Sequence, residues 1–214
     1  MRDKFSHVNA WVFDLDNTLY DPSVRLFDQI EEKMRHYICR LLDVDLAEAD
    51  ALRARYWRDH GTTLAGLMAH HEIDPMHFLY DVHALDFSGL SEDPVLAAQI
   101  SALPGRKLVF TNGDAAYAQN VLDARGLGDV FETIYGIEHA DFTPKPQRAA
   151  FARVFEQANI SPQTAAMFED DVRNLEVPAA LGMQTILVHT DAPAHDHIHF
   201  RTADLTKFLS EITG

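Results

Sequence analysis

Five short apolar runs restrict this chain more than any other feature: residues 10–13, 107–110, 133–136, 165–168 and 184–188. Each is too short for a helix and too continuous for a half-exposed strand, which is the pattern of strands buried on both faces. From the second run onward, stretches with apolar residues at three- and four-residue spacing separate them, at 114–125, 146–158 and 173–181, and a last helix is predicted over 204–212. Strand alternating with helix predicts an α/β fold with a doubly wound parallel sheet.

One interval breaks the alternation. About ninety residues separate the first two strands, far more than a βα crossover of a compact domain requires. Helical patterns near 22–42, 45–59, 62–71 and 74–85 fill most of it, and Ser88-Gly89 and Asp93-Pro94 mark a return hinge over 87–94. The expected organisation is a Rossmann-like core of residues 1–20 and 90–214 carrying an inserted helical cap of residues 21–89.

In open α/β sheets, ligands bind beyond the carboxyl ends of the strands. Three runs end there in reactive groups. The first leads into Asp14-Leu15-Asp16-Asn17-Thr18, and alternation along an extended chain lets Asp14 and Asp16 face one side. Helix capping or a turn accounts for one such aspartate but poorly for the pair. Two carboxylates at a buried strand end cost several kcal/mol unless a cation or a shared proton relieves them. A carboxylate can attack phosphorus and divide a hard hydrolysis into two easier steps. At ~4 Å and an effective dielectric of ~20, however, anion repels anion by ~4 kcal/mol, roughly a thousandfold in rate. Asp14 is therefore the candidate nucleophile, Asp16 the candidate acid and base, and something cationic must accompany them.

The second run ends in Thr111-Asn112-Gly113, where a hydroxyl and the amides of a following helix can cradle an anion; alone it reads as an ordinary helix cap. Lys145 lies between Pro144 and Pro146, held on an extended element, with Pro146 suited to open the next helix. Alone it reads as an exposed lysine. Thr111, Asn112 and Lys145 are the candidate phosphate-binding groups. The fourth run leads into Glu169-Asp170-Asp171, an acidic end suited to Mg²⁺, a hard cation that takes a few carboxylates and keeps several waters. Asp170 is the chosen ligand, and Asp171 alone fits a solvated helix cap.

The order and spacing of these motifs over nearly the whole chain resemble the phosphatases of the haloacid dehalogenase superfamily. That resemblance implies Asp14 as nucleophile, Asp16 as acid and base, and Mg²⁺ held by Asp14, the main-chain carbonyl of Asp16, and Asp170. Asn174, four residues after Asp170, fits the same pattern, and Asp171 and Asn174 would support the metal from behind. Glu169 departs from the Asp or Gly common there. Residues 13–20, the run from Tyr56-Trp57 to Leu67, and His77 to His83 are similar to pyrimidine 5′-nucleotidases, which implies a nucleoside 5′-monophosphate as substrate; phosphoglycolate or a sugar phosphate is the alternative. A haloacid dehalogenase would leave Asp16 idle, because a departing halide needs no proton. A non-catalytic metabolite binder would not need every reactive position filled.

Composition narrows the partners. With 18 Lys and Arg against 33 Asp and Glu, the net charge is −15, and no basic stretch offers a surface to a nucleic-acid polymer or an anionic membrane. A single cysteine excludes an intrachain disulfide, and the N-terminal residues carry no apolar leader, so a cytoplasmic protein is expected. His195, His197 and His199 alternate, but no acid or cysteine partner matches them, and a solvated loop is expected. Tyr56 and Trp57 are expected in the core of the cap.

Overall fold

Where branched and aromatic residues run together the backbone extends, and in the computed structural model, which describes residues 1–188 and 193–214, six such segments pair into one sheet. They are β1 (Ala10–Phe13), β2 (Arg106–Phe110), β3 (Thr133–Tyr135), β4 (Ala165–Glu169), β5 (Gln184–Val188) and β6 (Phe200–Thr202). All neighbours are parallel, in the order β3-β2-β1-β4-β5-β6. The sixth strand was not expected. It is three residues long, too short for a period to show, and the histidines before it look like loop. They do lie in a loop, 193–199, and that loop is tied to the sheet: the Thr185 hydroxyl donates to the His197 carbonyl at 2.6 Å, and His197 Nε2 lies 3.0 Å from the Val172 carbonyl.

Successive side chains of the strands enter opposite layers. Trp11 and Phe13 pack with Phe168 on one face, while Val12, Phe110 and Met167 join Phe151 and Phe155 on the other. The first layer is closed by α5 (Pro94–Ala102), α6 (Ala115–Ala124) and α9 (Leu205–Thr213), the second by α7 (Arg148–Gln157) and α8 (Glu176–Ala180). Helix α5 was missed because its sequence is apolar without a clear helical period. Its start is nevertheless well marked, by the Asp93 carboxylate accepting from Leu96 N at 2.9 Å and by Pro94 at the first helical position.

Two expected helices are shorter. Helix α7 begins at Arg148, so Pro146 sits in the loop before it rather than opening it. The stretch 173–181 is a 3₁₀ turn, Val172–Leu175, followed by α8. Pro178 has no N–H for the carbonyl four residues back, and the turn before it tightens.

Between β1 and α5 the chain forms α1 (Leu26–Leu42), α2 (Leu46–His60), α3 (Thr63–His70) and α4 (Pro75–Val82). Asp45, Thr62 and Asp74 cap the last three through side-chain oxygens. These four helices bury a cluster of their own, with Ile38, Tyr56, Leu67, Phe78 and Val82 at its centre. Helix α3 lies so close to α2 that a Cβ on Gly66 would stand 2.2 Å from Tyr56 Cβ. No described helix is long and apolar enough to cross a membrane.

Candidate active site

Strand order reverses beside β1, whose neighbours are β2 and β4, so the crevice expected at a topological switch point opens over these three strand ends. Their first residues beyond or at the end are Asp14, Thr111 and Glu169-Asp170. Ladder bonds still hold the first two: Asp14 N donates to Phe168 O at 2.9 Å and Thr111 N to Tyr135 O at 3.0 Å. Three residues past Asp14 the chain turns away through Asn17, at φ 59°, a left-handed conformation that asparagine tolerates better than most residues.

Lys145 reaches the floor of this crevice and is 1% exposed. Its ammonium donates to Asp14 Oδ1 at 2.7 Å, Glu169 Oε1 at 2.7 Å and the Phe110 carbonyl at 2.9 Å, which uses all three protons. Burial works against its charge, but the two carboxylates outweigh burial and hold it firmly protonated, above its ordinary value. Asn112 clamps the lysine main chain, accepting from Lys145 N at 2.8 Å and donating to Lys145 O at 3.1 Å. Its side chain thus positions Lys145 rather than facing an anion. The Thr111 hydroxyl accepts from Gly113 N at 2.9 Å.

Glu169 matters more than the sequence suggested. It is fully buried, and besides Lys145 it accepts from Asn174 Nδ2 at 2.7 Å and Asp171 N at 2.9 Å. Asn174 therefore holds the glutamate, with its own Oδ1 buried and unpartnered. Asp171 turns outward to Arg173, Oδ2 to Nη2 at 2.5 Å. Although burial opposes it, this pairing draws the Asp171 carboxyl below its usual range.

The other acids are pushed the opposite way. Burial raises Asp14 despite Lys145, with Asp16 adding to the rise. Burial and the Glu169 charge push Asp170 up to about 9. Asp14, Glu169 and Asp170 place one oxygen each within 4.8 Å of one another. Three carboxylates against one ammonium, one of them preferring a proton at neutral pH, form an all-oxygen site short of positive charge. That fits a hard divalent ion. Glu169 is occupied by Lys145, Asn174 and the Asp171 amide, whereas Asp170 accepts none of the described hydrogen bonds.

Asp16 faces the same cavity and accepts from Tyr20 OH at 2.7 Å and Tyr117 OH at 2.5 Å, both on Oδ1. Tyr20 was read only as part of a motif. Tyr117 falls within the helical period over 114–125 and was not singled out.

The cavity holds about 520 Å³ and runs from this floor to a wall formed by the helices between β1 and α5, including Phe27, Ile30, Arg53, Trp57 and Val82. Tyr56 is buried as expected, but Trp57 is 51% exposed and turns to the cavity. Leu26 and Ile30 of α1 pack into the apolar layer of the sheet, and charged or polar side chains join wall to floor at two places. The Arg173 guanidinium lies 4.6 Å from the Trp57 ring centroid, and His83 Nδ1 lies 2.5 Å from Asp114 Oδ2. Apart from the floor, no group of three or more acid, histidine or cysteine ligands gathers among the described residues, the alternating histidines included.

Comparison with known proteins agrees with this geometry. A family model described as haloacid dehalogenase-like hydrolase matches residues 8–182. Phosphate metabolism protein 8 of Saccharomyces cerevisiae is 26% identical over 195 residues, which cover 83% of this chain and 60% of that protein, so the chain spans under two thirds of its relative. A HAD phosphatase from Thermococcus onnurineus has a TM-score of 0.65 at 14% identity, over 96% of this chain and 98% of the other. An L-2-haloacid dehalogenase from Xanthobacter autotrophicus, with chloropropionic acid covalently bound, has a TM-score of 0.59 at 18% identity, over 97% and 99%. At such identities the two structures share the fold.

Proposed function

The chain belongs to the haloacid dehalogenase-like hydrolases, and from that premise we propose that it is a Mg²⁺-dependent phosphomonoesterase that works through an aspartyl-phosphate and prefers pyrimidine nucleoside 5′-monophosphates. Asp14 Oδ1 is tied to Lys145, so Oδ2 is the attacking oxygen. As the Asp14–phosphorus bond forms, the bond to the ester oxygen breaks and that oxygen takes a proton from Asp16. Asp16, now ionised, takes a proton from water, whose oxygen attacks phosphorus, releases inorganic phosphate and restores Asp14. Lys145, the Thr111 hydroxyl and the Asn112 amide offset the charge of the phosphoryl group. Asp14, Asp170 and the Asp16 carbonyl would hold the metal, which supplies Lewis-acid stabilisation of the phosphoryl oxygens when bound.

The observation that carries this reading is Asp16, seated in the cavity and held by two phenols. Carbon–halogen cleavage uses an aspartate nucleophile but has no use for that acid. The relative named for phosphate metabolism points the same way. Residues 21–89 act in this reading as a cap that closes over substrate. Its wall favours a substrate with a flat ring beyond the phosphate, because Trp57 offers an exposed aromatic face and a 520 Å³ cavity exceeds the needs of phosphoglycolate.

The test is phosphate release from 5′-nucleotides, phosphoglycolate and sugar phosphates, with Mg²⁺ or with EDTA, by the native chain and by Asp14→Asn. Release should be greatest on UMP or CMP and vanish with EDTA and in the variant. A preference for another phosphate would replace the nucleotide assignment, and release that survives EDTA would remove the metal.

A further inference from the structure

We propose that Tyr117 and Tyr20 are positioning residues that fix which oxygen of Asp16 delivers the proton, and that His83 of the helical insertion makes this depend on the insertion being seated. The inference rests on Asp16 as the acid of the reaction above.

Both phenols donate to Asp16 Oδ1, at 2.5 and 2.7 Å. An oxygen that already accepts two hydrogen bonds is a poor place for a proton, because protonation would turn at least one donor into a clash. A protonated Asp16 therefore carries its hydrogen on Oδ2, the oxygen these bonds leave to the cavity. The phenols also stop the carboxyl from rotating about χ2, a torsion that is broad for an unrestrained aspartate. Neither hydroxyl delivers the proton itself, since each already donates its hydrogen to Asp16 Oδ1.

The Tyr117 ring is itself held from three sides. Beneath it, Gly113 has no side chain, and a Cβ there would stand 2.8 Å from the ring. Its own amide donates to Asp114 Oδ1 at 2.8 Å. On its outer face lies the His83 imidazole, 4.2 Å between centroids and 15° from parallel, anchored through Nδ1 to Asp114 Oδ2. His83 caps the end of α4, so one residue of the insertion stacks on the phenol that aims the acid. Seating of the insertion and aiming of the acid become one event. An open cavity then has a poorly aimed acid, which protects against misplaced proton transfer before substrate is enclosed.

A role in aiming a proton differs from a role in structure through its dependence on the leaving group. An alkoxide must be protonated as it leaves, whereas p-nitrophenolate leaves without help. The measurement is kcat/KM, which covers the first chemical step, on a 5′-nucleotide and on p-nitrophenyl phosphate for Tyr117→Phe, Tyr20→Phe, His83→Ala and Asp16→Asn. General acid catalysis is worth ~10²–10⁴-fold, and a mis-aimed acid retains part of it. Tyr117→Phe should lose ~30-fold on the nucleotide against ~3-fold on the aryl ester, with Tyr20→Phe and His83→Ala losing less in the same ratio. Equal losses on both esters in Tyr117→Phe and Tyr20→Phe, while Asp16→Asn still discriminates, would overturn the inference. Equal losses in Asp16→Asn would instead overturn Asp16 as the acid. The conservative Tyr20→Phe keeps the test decisive should Tyr117→Phe fold poorly.

Discussion

The two walls of the cavity are held by opposite means. The floor is set by parallel strand ends and by an ion cluster shut off from water, with Lys145 1%, Glu169 0% and Asp14 6% exposed. The helical wall carries an apolar core that Ile137 also enters, and Leu26 and Ile30 of α1 pack into the sheet's apolar layer. Beside the ion cluster the wall meets the floor through Arg173 on Trp57 and through His83 on Asp114 and Tyr117. Buried ion clusters of this kind are intolerant of change, whereas partly exposed contacts at a cavity edge open at lower cost. In the proposed reaction the chemistry thus falls to the buried ion cluster and the choice of substrate to the more exposed helical wall. Mutations should separate the two walls cleanly.

Lys145→Met should have the largest effect, because it strikes stability and rate together. Removing the ammonium leaves Asp14 and Glu169 facing each other without compensation. Breaking a buried pair in this way costs ~3–5 kcal/mol. The phosphoryl group would also meet an unscreened carboxylate, at ~4 kcal/mol or a thousandfold in kcat. Urea denaturation with phosphate-release kinetics checks both. A variant as stable as the native chain would show that the floor is not an electrostatic unit, and the contrast between the walls would fall with it.

The same contrast governs what could be read from sequence. Asp14, Thr111 and Asp170 were legible because an apolar run that stops on a reactive side chain is both a structural and a chemical signal. Parallel pairing then delivers the three to one place. Glu169 was not legible as a member of the cluster, since an acid at a strand end looks the same whether it faces a lysine or water. Its partner Lys145 lies 24 residues earlier in the chain. Tyr117 and Trp57 were obscured for a related reason: an aromatic at helical spacing reads as core, and only packing shows that one donates to Asp16 and the other faces the cavity. The four helices between β1 and α5 were visible from the length of that interval and its four helical periods. Helix α5 and β6 were not, one lacking a clear period and the other too short to have one.

Trp57→Ala tests the helical wall and should have an intermediate effect. Stacking a base on an aromatic ring is worth ~1–3 kcal/mol. The KM for UMP or CMP should rise about tenfold, and the KM for a small sugar phosphate by much less. Substrate preference would shift while kcat on each substrate stays within the same order. A fall in kcat on every substrate, with no change in preference, would mean that Trp57 supports closure rather than recognition.

Asp114→Asn should have the smallest effect and probes the joint between the walls. Asparagine still caps α6, so the helix start is preserved and only the carboxylate's contact with His83 is lost. Burial tends to raise the Asp114 carboxyl, but the His83 hydrogen bond and the Tyr117 amide outweigh it and hold the group below 3.8. A carboxyl with a lowered folded-state value stabilises the protein at pH above its unfolded value. That contribution disappears as pH falls through the folded value. The native chain should therefore exceed the variant in stability by about 1 kcal/mol at pH 7, the size of a typical buried hydrogen bond. The gap should persist down to about pH 4 and close below it. Urea midpoints at pH 7, 5 and 3 decide the matter. A gap that is the same at all three would assign the loss to packing around His83 and Tyr117, and the two walls would then be joined by shape rather than by charge.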